Sequence, residues 1–405
     1  MSTILCAVHR ALTLLWALGV ILALGWIGPA TAANEIRIGA PLPLTGALSP
    51  EGDKLKKGYE LWLEEVNKRG GINVGKVKHS VKLFYYDYQS NTPRAVQLAE
   101  KLVTDDKVHF MFSPFGSGAT KAASAVAEKY GVPMMASTAS SRAVYDQGYK
   151  NLFGLYTPND TLTEPISELV KKKFPDVKRV AILARNDLYP LALANEFNKS
   201  VTKRGFKVAY FEKYSIGTLD FAAAITQIGA SKPDWIIATG YINDLILIRQ
   251  QMADQKVTAK VITGINGPQY QEWLDAIGPV GNGVTTASWF HASLRYQSDD
   301  IFGSTENFVK LFKAKYGSEP DFTQASGAAV GSILQMAIEQ VGTLDRGKVR
   351  NALANTPFKS FFGLVKFGPD GEANSYIPPI YQIHNQTVVP IYPDNIKRSE
   401  LMPIK

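Results

Sequence analysis

Two short stretches of this 405-residue chain place hydroxyls and glycines between an apolar strand and a following helix. The first is Phe112-Ser-Pro-Phe-Gly-Ser-Gly-Ala-Thr120 and the second is Ala136-Ser-Thr-Ala-Ser-Ser141. Glycine lets backbone approach a ligand closely, and a helix start offers free N–H groups and the positive end of a dipole. Ser117 in the first stretch, and Thr138 and Ser140 in the second, add hydroxyls beside those amides. Two such starts at adjacent strand ends make a cradle for a carboxylate without an arginine. Any one of these residues alone also reads as a plain helix cap, Ser141 above all. Two further stretches carry larger groups. In Ala184-Arg-Asn-Asp-Leu-Tyr-Pro190, Tyr189 can lay its ring on a ligand and turn its hydroxyl to it. In Thr239-Gly-Tyr-Ile-Asn-Asp-Leu245, Asp244 opens a helix over Leu245–Met252, so a cap explains it.

The elements that must position these residues alternate along the chain. Strand-like runs occur at Ile36–Ala40, Val81–Tyr86, His109–Phe112, Val132–Ala136, Val180–Ala184, Trp235–Thr239 and Val261–Thr263. Helical spacing lies between them, as in Pro93–Leu102, Thr120–Tyr130 and Leu191–Arg204. Short apolar strands separated by helices specify α/β architecture with parallel sheets covered on both faces. The chain divides into two α/β halves, near 35–155 and 157–286. Beyond Ala287, amphipathic helices at Thr305–Tyr316 and Gln324–Val341 precede hairpin-like strands over Phe361–Gln382, with a turn at Pro369-Asp370-Gly371.

Composition narrows the function. The chain carries 44 basic and 36 acidic residues, a formal +8, with the lysines scattered along helices rather than striped with aromatics. That excludes a nucleic-acid or membrane-surface footprint. The five histidines are dispersed, none paired at metal-ligand spacing, and there is no G-x-S-x-G or G-x-x-x-x-G-K-[ST] motif. Neither catalysis nor a metal or cofactor is expected. Before Glu35 the only charge is Arg10, followed by the apolar run Ala11–Ile27 and Ala30-Thr31-Ala32. This describes a secretory signal peptide over residues 1–32, an uncleaved anchor being the alternative. Cys6, the single cysteine, precedes the apolar run, so cleavage leaves no thiol and no disulfide.

The segment Ile38–Ile72 carries a strand, a Leu44-Thr45-Gly46 loop and a helix ending Asn67-Lys68-Arg69-Gly70-Gly71-Ile72. In order and spacing it resembles the opening of the type I periplasmic solute-binding proteins, branched-chain amino-acid branch. The resemblance implies two lobes, each a parallel sheet flanked by helices, with three crossovers. Residues 33–156 and 288–356 would form lobe 1, 157–287 and 357–393 lobe 2, and 394–405 a C-terminal tail. It implies a periplasmic receptor that traps a small carboxylate, in the first place an amino acid, and docks on an inner-membrane permease of an ABC importer. On that pattern Ser117, Thr138 and Ser140 hold the carboxylate, Tyr189 closes from lobe 2, and Asp244 pairs with an ammonium. Phe115, Tyr241 and Asn266 add lining. Two departures stand out: Pro190 replaces a usual glycine, and Glu51 sits where amino-acid binders place an aromatic. Glu51 either faces solvent or meets a donor on the ligand. The same scaffold also admits aromatic carboxylic acids, amides or urea, and a subunit that reports its solute to a membrane sensor.

Overall fold

The computed structural model describes residues 34–404, so the expected signal peptide lies outside the described residues. The first half contains β1 (Glu35–Leu42), α1 (Ser49–Lys68), β2 (Ile72–Val74), β3 (Val77–Asp87), α2 (Thr92–Thr104), β4 (Phe110–Phe112), α3 (Ser117–Lys129), β5 (Met134–Ala136) and β6 (Leu152–Gly154). Their sheet has the order β2-β3-β1-β4-β5-β6, and β2–β3 is its one antiparallel pair.

The second half contains α4 (Asp160–Lys173), β7 (Arg179–Arg185), α5 (Leu188–Lys203), β8 (Lys207–Tyr214), α6 (Ala222–Ala230), β9 (Trp235–Thr239), α7 (Ile242–Asp254), β10 (Val261–Ile265), α8 (Gln271–Ile277) and β11 (Thr285–Ala287). The strands β7, β9 and β10 are buried almost end to end, as parallel strands covered on both faces must be.

The chain then returns to the first sheet with α9 (Thr305–Tyr316), α10 (Phe322–Val341), α11 (Arg346–Asn355) and the hairpin β12 (Phe358–Ser360) and β13 (Gly363–Val365). Finally β14 (Ile380–His384) and β15 (Thr387–Tyr392) complete a second sheet of order β15-β14-β11-β10-β9-β7-β8. The result is two lobes joined by three crossings. Residues 357–373 sit differently from the expected boundary at 356. Glu372 bridges Gly154 of β6, and Phe367 packs edge-on to Phe153 at 5.3 Å, so this stretch belongs with the first sheet. The last crossing therefore follows residue 373. The C-terminal residues are docked on the second lobe. Gln382 exchanges two hydrogen bonds with the backbone of Met402, and Ile404 N–H donates to the Lys260 carbonyl at 2.9 Å.

Helix α1 starts at Ser49, earlier than its apolar stripe suggests, because Pro50 fits the first turn and Glu51 complements the dipole there. Leu55, Tyr59, Trp62 and Val66 of α1 are fully buried. Helix α10 crosses α1 at backbone distance: a Cβ on Gly58 would lie 2.1 Å from the Gln324 carbonyl, and one on Gly327 2.7 Å from that of Leu55. No larger residue fits at either position.

The crossings are tied to each other. Tyr156 stacks on Trp289 at 3.9 Å with an interplanar angle of 2°. Trp289 Nε1 donates to the Thr157 carbonyl at 3.1 Å, and the Tyr376 hydroxyl donates to that of Leu155 at 2.7 Å. The three crossings are thus tied together through one aromatic residue from each, which is the material of a hinge.

Candidate functional site

Both sheets turn the carboxyl ends of their parallel strands toward the other lobe, and each has a point beside its first strand where the winding reverses. That is where ligands bind in open α/β sheets. The loops after β4, β5 and β6 face those after β7, β9 and β10.

On the first lobe, Gly116 caps α3 at φ 80°, a left-handed conformation that suits glycine, and its N–H donates to Thr138 Oγ1 at 3.1 Å. Ser117 Oγ accepts the N–H groups of Ser140 and Ser141 at 3.3 and 3.2 Å. Each hydroxyl oxygen is therefore occupied as an acceptor while its proton stays available for donation. Ser140 differs: its hydroxyl donates to Asn159 Oδ1 at 2.8 Å, so its proton is already committed.

On the second lobe, Asp187 caps α5 by accepting the Leu188 N–H at 2.7 Å. This puts Tyr189 and Pro190 in the first helical turn rather than in a loop, and Pro190 is accommodated because first-turn N–H groups need no intrahelical acceptor. Asn266 follows β10 with φ 71°, a conformation asparagine tolerates better than most residues. The Tyr189 hydroxyl and the Asn266 amide are both buried and interact with each other at the limit of hydrogen-bond range, with no other partner for the hydroxyl or for Asn266 Oδ1. Burial also raises the Tyr189 phenol above its ordinary range.

Six of the nine residues singled out from sequence, Phe115, Thr138, Ser140, Tyr189, Tyr241 and Asn266, line one enclosed cavity between the lobes. It is a narrow slot of about 250 Å³. Gly116, Tyr156, Trp289 and Phe322 complete the lining. The last three come from the crossings and the start of α10, where no motif marks them; the only clue is that aromatics recur at each change of lobe. A wider cleft lies nearby under Lys54, but its Lys54, Glu272 and Asp321 are paired with one another.

Ser117, Asp244 and Glu51 lie outside the lining. Ser117 is one step behind it, as the acceptor just described. Asp244 is the third residue of α7 rather than its cap: Tyr241 is the cap, and its N–H donates to Asp244 Oδ2 at 3.0 Å. Both Asp244 oxygens also accept Arg185 Nη1, at 3.1 and 2.9 Å, in a buried pair. Burial works against the Arg185 charge, but the adjacent Asp244 carboxylate outweighs it and holds the guanidinium above its ordinary value. Arg185 was not singled out from sequence, where it reads as the polar end of a strand.

Glu51 is buried, 1% exposed, which removes the solvent-facing alternative. Neither carboxylate oxygen has a partner at hydrogen-bond distance. Burial pushes its carboxyl up to about 7, opposed by nearby backbone N–H groups, including that of Ile242 across the lobe interface, and by Lys54. Among the described residues no group of His, Cys, Asp and Glu could hold a metal ion, and no helix is long and apolar enough to cross a membrane.

Comparison with known proteins agrees with this geometry. The family model of the periplasmic binding proteins matches residues 35–383. The leucine-, isoleucine-, valine-, threonine- and alanine-binding protein of Pseudomonas aeruginosa is 25% identical over 364 residues, covering 89% of this chain and 93% of its own. The LivJ substrate-binding protein of Streptococcus pneumoniae, solved with isoleucine, superposes with a TM-score of 0.78 at 25% identity, over 87% of this chain and 97% of that one. A solute-binding protein of R. palustris, solved with benzoate, shares the fold with a TM-score of 0.76 at 21% identity, over 88% and 95%. With its two lobes, three crossings and interlobe slot, this chain belongs to the periplasmic binding proteins, type I, in the branch related to the Leu/Ile/Val-binding proteins.

Proposed function

We propose that the protein is the extracytoplasmic receptor of an ABC importer, traps a small carboxylate between its lobes, and hands it to an inner-membrane permease. The observation that carries this reading is the division of the slot. One lobe brings Gly116 at the start of α3 and the Thr138 hydroxyl, with Ser117 one step behind them, and the other brings the buried Tyr189 hydroxyl and the Asn266 amide. Neither half surrounds a ligand alone, so a ligand that touches both favours the closed arrangement. The named ligands of the similar proteins, isoleucine and benzoate, differ in body and share a carboxylate. Trapping needs no bond-making residue, and we assign none. Export as a periplasmic protein, with cleavage after the segment 1–32, belongs to the same reading.

The test is thermal unfolding of refolded protein against small acids. A ligand that binds only the folded state, present at a thousand times its dissociation constant, adds about 4 kcal/mol. Stabilisation by at least one small carboxylate, absent with its amide, supports the reading. Equal stabilisation by acid and amide removes the carboxylate cradle.

A further inference from the structure

We infer that the slot selects a carboxylic acid that has a planar apolar body and no ammonium group, an inference that rests on the slot being the ligand site. The lining is the first reason. Among the described residues that form it, none carries a charge: six are aromatic, and Gly116, Thr138, Ser140 and Asn266 are neutral. A buried ammonium without a counter-charge is strongly disfavoured, whereas a carboxylate meets the free Thr138 hydroxyl proton beside the start of α3.

The second reason is Asp244, the acid that an α-amino ligand would need. Its two oxygens are taken by Arg185 at 3.1 and 2.9 Å, and one of them also by the Tyr241 N–H at 3.0 Å. A ligand ammonium would have to displace a guanidinium from a buried pair. Arg185 also lies over the Tyr241 ring, 5.2 Å from its centroid, while that tyrosine lines the slot. Arg185 is itself paired with Asp244 and lies 3.6 Å from Asp187, so this cluster offers no free acid to a ligand ammonium; Glu51, the remaining buried acid nearby, lies outside the lining, and burial favours its neutral form. The walls are the third reason: the rings of Phe115, Tyr156, Tyr189, Tyr241, Trp289 and Phe322 suit a planar body better than a branched chain.

The experiment compares melting temperatures of refolded protein in saturating benzoate, L-leucine, L-phenylalanine and glycine betaine, for the wild type and Asn266→Asp. The variant places a carboxylate in the slot at a position whose backbone aspartate tolerates. Benzoate is expected to raise the wild-type melting temperature by several degrees, with the three ammonium-bearing probes leaving it unchanged. Asn266→Asp is expected to lose the benzoate shift and gain one with L-phenylalanine. A wild-type shift with L-leucine or L-phenylalanine equal to or above that with benzoate overturns the inference but leaves the carboxylate reading standing. A betaine shift alone overturns it in favour of an aromatic cage for a quaternary cation. No shift with any probe overturns this inference, while the proposed function is decided separately by the wider comparison of small acids with their amides.

Discussion

Tyr270, which precedes α8 on the second lobe, shares a buried 2.8 Å hydrogen bond with Thr323 on α10 of the first. Its ring stacks on Phe322 at 5.3 Å and 15°, and Lys54 of the first lobe lies 4.8 Å from the same ring centroid. These contacts exist only while the lobes are together. Tyr270→Phe keeps the stack and removes the hydroxyl. Affinity for a stabilising acid, measured by calorimetry, should fall by about 0.5–1.5 kcal/mol, the net worth of one hydrogen bond, with little change in ligand-free melting. Unchanged affinity would mean that this bond does not contribute to closure.

The Glu51 carboxyl gives closure a pH dependence. Its value in the closed protein, about 7, lies above the ordinary 4.5, so the closed form binds the proton more tightly than an open or unfolded chain does. The associated stability is complete below about pH 4.5 and is lost as pH rises through about 7, on the order of 3 kcal/mol in all. Melting measured from pH 5 to pH 8 should fall less steeply for Glu51→Gln than for the wild type. Glu372, also raised by burial, to about 8, remains in both proteins and cancels from the comparison. Parallel curves would show that Glu51 regains water or a partner in solution.

Removing one half of the Arg185–Asp244 pair leaves a buried charge alone. Arg185→Met should therefore cost about 3–5 kcal/mol in denaturant unfolding. Adding Asp244→Asn to it should restore most of that loss, because no buried charge remains uncompensated. If Arg185→Met is as stable as the wild type, Asp244 has another partner.

Thr138 has one hydroxyl oxygen engaged by Gly116 and one proton to give. Thr138→Val should weaken a carboxylate ligand by about 1–3 kcal/mol, through loss of a charge-assisted bond. Its effect on an uncharged analogue of the same body should be smaller. Equal losses for the two would assign Thr138 to loop shape rather than to the carboxylate.

Much of the architecture was legible locally. Alternating strand and helix periodicities, the loop-and-helix start at Ser117, and the opening that ends at Gly70-Gly71 are patterns set by neighbours in sequence; the helix start expected after Thr138 is in the structure only a three-residue 3-10 turn, Arg142–Val144, so one helix start rather than two meets the slot. The local patterns recover the α/β class and six residues of the slot lining. Short strands such as β6 and β11, of three residues each, were not legible, because so few residues establish no periodicity.

The charges were decided only in three dimensions. Asp244 follows Arg185 by 59 positions, and nothing in the local sequence of either residue indicates that β7 and α7 bring them to 2.9 Å. A carboxylate that sequence allowed to meet a ligand ammonium is therefore held by the protein's own guanidinium. Glu51 reads as a surface residue by type, yet closure of the second lobe over the first turn of α1 buries it. Tyr156 and Trp289, 133 positions apart, stack because separate crossings converge. Local sequence determines which segments become strands and helices, since backbone propensity and apolar spacing act over a few residues. Pairing, burial and the shape of the slot depend on how distant segments meet, and only the packed lobes determine that.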